Sequence, residues 1–257
     1  EAADGRTLSG RRLIVATGGK SYPALGSNGS GYTLMEALGH SVVEPVPGGV
    51  PLVVKDRFCH YLQGQKITAH GRAEIGGRLV GEQEGDLLFT QYGLSGSTII
   101  DLSGPVSMAI NRGYSGPVRL IVDMIPFIDT ETLRTELTRR QKRGDAKDSW
   151  FTGILPNKFA SIIRNIYPDA GVDELISAFK DKVFEVQGTR GWNEAEFTYG
   201  GVPCDEVNTR LMSRKIPDLY LCGEILDIAA PRGGYNLAWA WGSGWVAGLG
   251  EEDNYNG

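Results

Sequence analysis

The chain lacks the features that identify membrane-spanning and nucleic-acid-binding proteins. No run of apolar residues approaches the length of about 20 that a membrane-spanning helix needs. Basic charge is also scarce, because the 257 residues carry a formal net charge of −5. Binding to the phosphates of a nucleic acid requires a basic surface. We therefore expect neither a membrane nor a nucleic acid among the partners of this chain.

Cysteine and histidine are scarce as well. The three cysteines, Cys59, Cys204 and Cys222, are unevenly spaced and form no Cys-x-x-Cys motif, and the three histidines have no metal-ligand spacing. This pattern indicates reduced thiols in a cytoplasm, and it argues against a disulfide framework or a metal site. The first residues are polar and acidic, unlike a secretory signal.

The hydrophobic content of 41% and the charged content of 22% are typical of a folded globular chain. Residues 12–17 predict a buried strand that stops at Gly18-Gly19, and residues 32–38 predict a short helix closed by Gly39. From residue 50 to about 125, short alternating runs interrupted by glycine predict an antiparallel sheet or a small barrel. Asp129 then opens a helical region that continues to about residue 181.

This order of patterns predicts one domain inserted into another. Residues 184–198 alternate again and are expected to rejoin the sheet. The predicted divisions are residues 1–46 as the first segment of an α/β domain, 47–126 as an inserted β-rich domain, 127–183 as a helical subdomain, 184–199 as return strands of the β-rich domain, and 200–257 as the second α/β segment.

Near the carboxyl end, a short apolar strand stops at Gly223-Glu224, and a loop then reaches Gly233-Gly234 before an apolar, small-residue segment. An acid at a strand end can bind a sugar or ribityl hydroxyl, and glycines at a helix entrance let N–H groups approach a phosphate or an electron-rich ring. Each motif by itself is explained equally well as an ordinary turn, but together they favour a flavin site. The predicted cofactor-binding residues are Thr17, Gly18, Gly19, Gly223, Glu224, Gly233, Gly234, Tyr235, Asn236 and Leu237.

Individual roles follow from this prediction. Glu224 is expected to bind the ribityl chain, and Asn236 to cap the helix or to be its first donor. Tyr22 and Arg232 are substrate-pocket candidates because their loops should face the flavin ring. Tyr22 is equally explained as a packing aromatic residue, and Arg232 as a surface charge. No residue is identified as the catalytic acid or base.

Three blocks of sequence resemble a known family. They are residues 14–23 with Gly26-Ser27 and Gly31-Tyr32, then residues 87–90, 93–96 and 101–103, and finally residues 200–202, 212–213 and 219–248. In this order they resemble the aminoacetone-oxidase-like NAD(P)/FAD-dependent oxidoreductases of bacteria. The resemblance implies an FAD domain of the glutathione-reductase type, interrupted by a β-rich, barrel-like domain and a helical subdomain. It also implies hydride transfer through flavin N5 to or from a small organic substrate, with NAD(P)H as a candidate electron donor.

The chain departs from this family at two places. The family's N-terminal Gly-x-Gly-x-x-Gly turn and its ribose-binding acid have no counterpart here, and Tyr199 replaces a small residue. We therefore expect a C-terminal fragment that binds FAD poorly and that associates with itself or with a chain supplying the missing half. The alternatives are a non-catalytic remnant or binding module without stable flavin, and an enzyme completed by a separate subunit.

Overall fold

The computed structural model describes residues 5–7 and 9–249 of the chain. The chain divides into two compact units, of which the first consists of Glu1–Gly48 and Trp192–Gly257 and the second of Gly49–Gly191. The outer ends of the two predicted α/β segments, residues 1–4 and 250–257, lie outside the described residues, as does residue 8. Within the described ranges, no helix is both long enough and apolar enough to cross a membrane.

The first unit is built from two separate stretches of sequence that meet in a parallel strand pair. Leu13 lies opposite Leu219, and Val15 lies opposite Leu221. A second, antiparallel pair also joins the two stretches. The elements of this unit are β1 (Leu13–Val15), α1 (Ser30–Ala37), β2 (Val43–Gly48), β9 (Phe197–Gly201), β10 (Leu219–Leu221) and α7 (Tyr235–Leu249).

Helices cover both faces of the parallel β1–β10 pair. Successive side chains of a strand point to opposite faces. On one face, Leu219 and Leu221 pack with Met35 of α1. On the other face, Tyr220 packs with Ala247 of α7. The result is an α/β layer arrangement in which the loops after β1 and β10 leave the same edge of the strand pair, because the two strands are parallel.

The second unit contains a closed barrel of six strands. Its strand order is β3-β6-β5-β4-β7-β8, and all neighbouring strands are antiparallel. The closed barrel is one of the two arrangements expected for residues 50–125, and β8 closes it from outside that range. The elements are β3 (Leu52–Val54), α2 (Arg57–Leu62), β4 (Lys66–Ile75), β5 (Arg78–Thr90), β6 (Gly93–Ser95), α3 (Ser97–Asn111), β7 (Val118–Asp123), α4 (Thr130–Arg143), α5 (Ala160–Ile166), α6 (Val172–Lys180) and β8 (Lys182–Thr189).

Two differences from the sequence prediction concern this region. Residues 97–111 form the long helix α3 and not part of a sheet. This helix packs on β4 and β5, and its buried positions 98, 99, 102, 103 and 106 have helical spacing. Thr98 and Ser103 are among them, so the apolar residues of the sequence do not by themselves follow the buried face. Residues 192–199, predicted as return strands of the β-rich domain, belong to the first unit, because β9 pairs with β2.

The predicted helical region and the barrel share one hydrophobic core. The ring of Phe58 in α2 contacts the rings of Phe179 in α6 and Phe184 in β8, with centroid distances of 6.0 Å and 6.1 Å. Helix α4 begins as predicted, because the carboxylate of Asp129 accepts a hydrogen bond of 2.9 Å from the N–H of Thr132. The helices therefore act as a cover of the barrel core within the same compact unit.

Candidate functional site

Glu224 connects the strand ends of the first unit. It lies in a short 3-10 turn, Gly223–Ile225, directly after β10. Its Oε2 accepts a hydrogen bond of 3.1 Å from the N–H of Gly19, and its Oε1 accepts one of 2.8 Å from the N–H of Thr198. Burial raises the pKa of the Glu224 carboxyl, against the opposing effect of these two hydrogen bonds. The carboxylate thus ties the loop after β1 to the start of β9.

Thr198 completes this junction, although the sequence analysis did not identify it. Its Oγ1 accepts a hydrogen bond of 2.9 Å from the N–H of Lys20 and lies 2.9 Å from the Oγ of Ser21. A Cβ on Gly19 would lie 2.3 Å from both Thr198 Oγ1 and Glu224 Oε2, so only glycine fits there. Thr198 lies just before the block at residues 200–202 but outside it, and the pairing of β9 with β2 brings it to this loop.

The start of α1 is also fastened to the junction. The hydroxyl of Tyr32, a residue that is only 6% exposed, donates a hydrogen bond of 3.2 Å to the backbone carbonyl of Glu224. Burial and the nearby Glu224 charge raise the pKa of Tyr32. A Cβ on Gly31 would lie 1.9 Å from the Oγ1 of Thr17, which shows how closely α1 approaches the end of β1. Thr17 itself is exposed.

Helix α7 is held against the turn after β10. The N–H of Gly223 donates a hydrogen bond of 2.9 Å to the Oγ of Ser243, and its carbonyl accepts one of 3.2 Å from the Nε1 of Trp239. Gly223 and Glu224 are therefore bound from two directions, by α7 and by the loop after β1. The predicted residues Gly19, Gly223 and Glu224 form one group in the structure.

Asn236 has a different role from the expected helix cap. Its Oδ1 accepts a hydrogen bond of 2.8 Å from the N–H of Ala230, and its Nδ2 donates one of 3.0 Å to the carbonyl of Ala230. The side chain therefore holds the loop before α7 and not the helix N-terminus. Tyr235 and Leu237 on either side are 63% and 61% exposed.

The two substrate-pocket candidates lie around the Trp192–Glu196 stretch, which the sequence analysis did not single out. Tyr22 has left-handed backbone angles, with φ 59° and ψ 60°, and its N–H donates a hydrogen bond of 2.9 Å to the carbonyl of Trp192. Arg232 donates a hydrogen bond of 2.6 Å from Nε to the Oε2 of Glu196. A bulky residue with positive φ is uncommon and indicates a constrained loop.

Two glycines leave room for a ligand to approach the backbone. Gly18 has φ 70° and Gly234 has φ 91°, and a Cβ added to either would meet nothing within 4 Å. Gly233 and Gly234 immediately precede α7, where the first N–H groups of the helix have no partner within the helix. This arrangement fits a group that carries negative charge or that accepts hydrogen bonds.

A parallel strand pair covered by helices on both faces, with a barrel inserted in the sequence between its strands, makes this an α/β protein. The chain belongs to the family described as the HI0933-like protein Rossmann domain, whose model matches residues 1–250.

Curated relatives include a reductase and two synthases. The chain is 34% identical over 96% of its length to a 3-dehydro-bile acid delta(4,6)-reductase of Clostridium scindens. It is 31% and 30% identical, over 95% and 93% of its length, to the ribosomal RNA dihydrouridine synthases of Escherichia coli and Haemophilus influenzae. The matches cover 63%, 61% and 60% of these relatives, so the chain spans a little over half of their length.

Proposed function

We propose that this chain forms the flavin end of an FAD-dependent oxidoreductase that is similar to the aminoacetone-oxidase-like family and has an FAD domain of the glutathione-reductase type. The observation that carries the proposal is the junction at Glu224, which connects the loops after β1 and β10 and is held against the middle of α7 through the hydrogen bond between Gly223 and Ser243. Ligands of Rossmann-type sheets bind at the carboxyl ends of the strands. Family membership and a relative named as a reductase support the same conclusion.

The names of the relatives suggest a reaction class. A 3-dehydro-Δ4,6 bile acid carries carbon–carbon double bonds conjugated with a ketone, and dihydrouridine results from saturation of a ring double bond conjugated with a carbonyl. We therefore propose reduction of a conjugated double bond, in which the β-carbon receives a hydride and the α-carbon a proton. FAD, when bound, would supply the hydride from N5, with NAD(P)H as the electron donor.

Several residues of this chain would support that reaction without taking part in bond changes. The carboxylate of Glu224 holds Gly19 in place by accepting a hydrogen bond from the Gly19 backbone N–H. We therefore assign Glu224 a positioning role in addition to the ribityl contact expected from the sequence. Gly233, Gly234 and the N–H groups that follow would face the electron-rich edge of the flavin. Asn236 would maintain the loop that carries Arg232.

Tyr22 and Arg232 would contact the substrate. Tyr22 is 49% exposed, although its backbone N–H is bound to the carbonyl of Trp192. Its hydroxyl is a proton donor of the kind that the α-carbon requires. Arg232, oriented by Glu196, could polarise the substrate carbonyl.

A change of Tyr22→Phe should lower kcat with little change in KM, whereas Arg232→Lys should raise KM. Unchanged kcat and KM in both variants would contradict these roles.

FAD titration monitored by visible absorption and fluorescence tests the proposal. The 257-residue chain should bind FAD weakly, because it has no Gly-x-Gly-x-x-Gly turn for the pyrophosphate. Each charge-assisted hydrogen bond that is missing at the pyrophosphate would contribute roughly 1.5–3 kcal/mol to binding. The FAD affinity of the 257-residue chain should therefore be orders of magnitude lower than that of a longer chain with a strand–turn–helix of this type before residue 1.

Matched glycine variants locate the flavin in that longer chain. Gly234→Ala should weaken FAD binding, and Gly153→Ala, at a left-handed glycine that also faces open space but lies in the second unit, should not. If both substitutions changed the FAD affinity equally, Gly234 would not belong to the flavin site. A stoichiometric flavin band in the 257-residue chain would show that the site is misplaced, and the absence of binding in the longer chain would favour a non-catalytic remnant.

The substrate class can be separated by assay. The formal charge of −5 favours a small molecule over RNA, and three free cysteines are compatible with a reducing bacterial cytoplasm. NAD(P)H oxidation by the flavin-loaded protein should be stimulated by a 3-oxo-Δ4 steroid and not by uridine-containing RNA. Stimulation by RNA alone would reverse this assignment.

A further inference from the structure

The segment that connects α4 to α5 surrounds a cavity in the second unit. The cavity has a volume of about 370 Å³ and is lined by residues between positions 148 and 164. This volume lies within the range of about 300–1,000 Å³ that is usual for small-molecule sites. The residues assigned to the flavin site all belong to the first unit, so the flavin does not account for this cavity.

The deepest part of the cavity is apolar and firmly packed. Phe151, Leu155 and Phe159 line it and are buried, and we call these three residues the cavity floor. The ring centroids of Phe151 and Phe159 lie 4.7 Å and 6.1 Å from that of Phe179 in α6. These contacts fasten the floor to the core of the second unit. An apolar group of a ligand would therefore meet a surface that needs no rearrangement.

The walls of the cavity are held from outside by Arg140 of α4. Its Nη1 donates hydrogen bonds of 2.9 Å and 2.8 Å to the backbone carbonyls of Trp150 and Thr152. Its Nε donates one of 2.6 Å to the Oε1 of Glu136, which orients the guanidinium. The Nε1 of Trp150 donates a further hydrogen bond of 3.1 Å to the carbonyl of Asp145. The loop therefore keeps its shape independently of the cavity contents, and a preformed site loses little conformational entropy on binding.

Two opposite charges stand side by side at the wall of the cavity. The Nη1 of Arg164 donates a hydrogen bond of 2.7 Å to the Oδ2 of Asp148, and both residues line the cavity. Their side chains are 58% and 32% exposed, and an ion pair of this exposure contributes little to stability. A guanidinium has more N–H donors, and a carboxylate more lone pairs, than this single hydrogen bond uses. Both groups can therefore bind a ligand at little cost to the fold.

We propose that this cavity binds an α-amino acid with an apolar side chain. Arg164 binds its carboxylate, Asp148 binds its ammonium group, and the side chain lies on the cavity floor. The two charged groups of an α-amino acid are bonded to the same carbon, so they match two opposite side chains that are in contact. A ligand without charges would cover the ion pair and offer it no hydrogen bonds, which is unfavourable. This site lies in the second unit, and the proposal does not rest on the flavin function.

Isothermal titration calorimetry of the purified 257-residue chain tests the proposal, with L-leucine as the probe. Leucine should bind saturably at millimolar concentrations or below. Isocaproate has the same carbon skeleton without the ammonium group, and isoamylamine has it without the carboxylate. Each analogue should bind about tenfold or more weakly than leucine, because one charged side chain of the site then has no partner on the ligand.

Substitutions in the ion pair assign the two contacts. Arg164→Gln should lower the affinity for leucine to the level of isoamylamine, and Asp148→Asn should lower it to the level of isocaproate. Arg119→Gln is the matched control, because Arg119 forms an exposed ion pair with Glu185 on the barrel and does not line the cavity. This variant should bind leucine as the wild type does. Circular dichroism verifies that all three variants fold.

Three results would overturn the proposal. The absence of saturable leucine binding at millimolar concentrations would exclude the amino acid as a ligand. Equal affinities for leucine, isocaproate and isoamylamine would indicate an apolar site in which the charge pair takes no part. Unchanged leucine affinity in both folded variants, Arg164→Gln and Asp148→Asn, would place the bound leucine elsewhere on the chain.

Discussion

At the scale of single residues, the candidate site depends on close approach between backbone segments that are far apart in sequence. Gly19 and Thr198 are separated by 179 positions (198 − 19), yet a Cβ on Gly19 would collide with the hydroxyl of Thr198. Glu224 satisfies two backbone N–H groups at this junction at once. Removing such a partner leaves buried donors without acceptors, which costs about 1–3 kcal/mol each.

Gly31→Ala should destabilise the first unit. The new Cβ would lie 1.9 Å from the Oγ1 of Thr17 and 2.9 Å from the Cδ1 of Ile225, so α1 would have to move. Overpacking of this kind typically costs about 1–3 kcal/mol in the free energy of unfolding, which urea denaturation measures. Gly242→Ala is the control, because it is also helical but faces open space, and alanine should be neutral or slightly stabilising there. Equal stability of the two variants would contradict the close contact.

At the scale of elements, a polar network fastens the end of α1 to the segment before β10. His40 is buried, with Nδ1 against Glu206 and Nε2 2.9 Å from the Oγ of Ser213. Lys215 donates hydrogen bonds of 2.8 Å to both Glu206 and the carbonyl of Gly39. The Oγ of Ser213 also accepts two backbone N–H groups, so this arrangement is a structural tie and not a nucleophile with its base.

The same network should make stability depend on acidity. Burial of Glu206 acts to raise its pKa, but hydrogen bonds from Lys215, Ser41 and His40 outweigh this and lower the pKa to about 2. A lowered pKa in the folded state contributes stability that is present above the ordinary glutamate pKa of 4.5 and is lost as the pH falls towards 2. Glu206→Gln should therefore reduce the loss of unfolding free energy between pH 4.5 and 2.

Urea denaturation of the wild type and the Glu206→Gln variant at several pH values measures this difference. Glu36→Gln, at an exposed position of α1, is the matched control and should keep the pH profile of the wild type. The interpretation of the network would be wrong if the Glu206→Gln profile were as steep as that of the wild type, or if the control flattened the profile equally.

At the scale of the whole molecule, each unit has a hydrophobic core of its own. The cluster that contains Leu52, Phe58 and Phe184 lies entirely within the second unit, and those around Val15 and Tyr220 lie within the first. The ends of the second unit meet, because the N–H of Arg190 donates a hydrogen bond of 2.9 Å to the carbonyl of Pro51. The second unit is therefore one continuous stretch of sequence, whereas the first unit consists of two separate stretches.

Residues 49–191 expressed alone should therefore fold. We expect a cooperative urea transition and a circular dichroism spectrum with both helix and strand, since the six barrel strands and their covering helices are all present. In contrast, residues 192–249 alone should not fold, because β10 needs β1 and β9 needs β2. A 49–191 chain without a cooperative transition would show that its core is incomplete.

The sequence by itself determined features that depend on near neighbours along the chain. These include the strand that ends before Gly18, the helix that starts after Asp129, and the alternating, glycine-interrupted strands of the barrel. Their physical causes are local, because side-chain alternation, helix capping and glycine turns act over a few residues. The sequence also indicated the loops of the candidate site, since Gly223-Glu224 and Gly233-Gly234 are recognisable as short motifs.

Only the tertiary structure decided how those motifs are used. Residues 97–111 form a helix that packs on β4 and β5, and strand pairing places β9 in the first unit. The side chain of Asn236 binds the backbone of Ala230 and not the helix N-terminus. Thr198 entered the site for the same reason. The energies that select these arrangements come from contacts between residues that can be more than a hundred positions apart, and such contacts have no periodic or compositional trace in the local sequence.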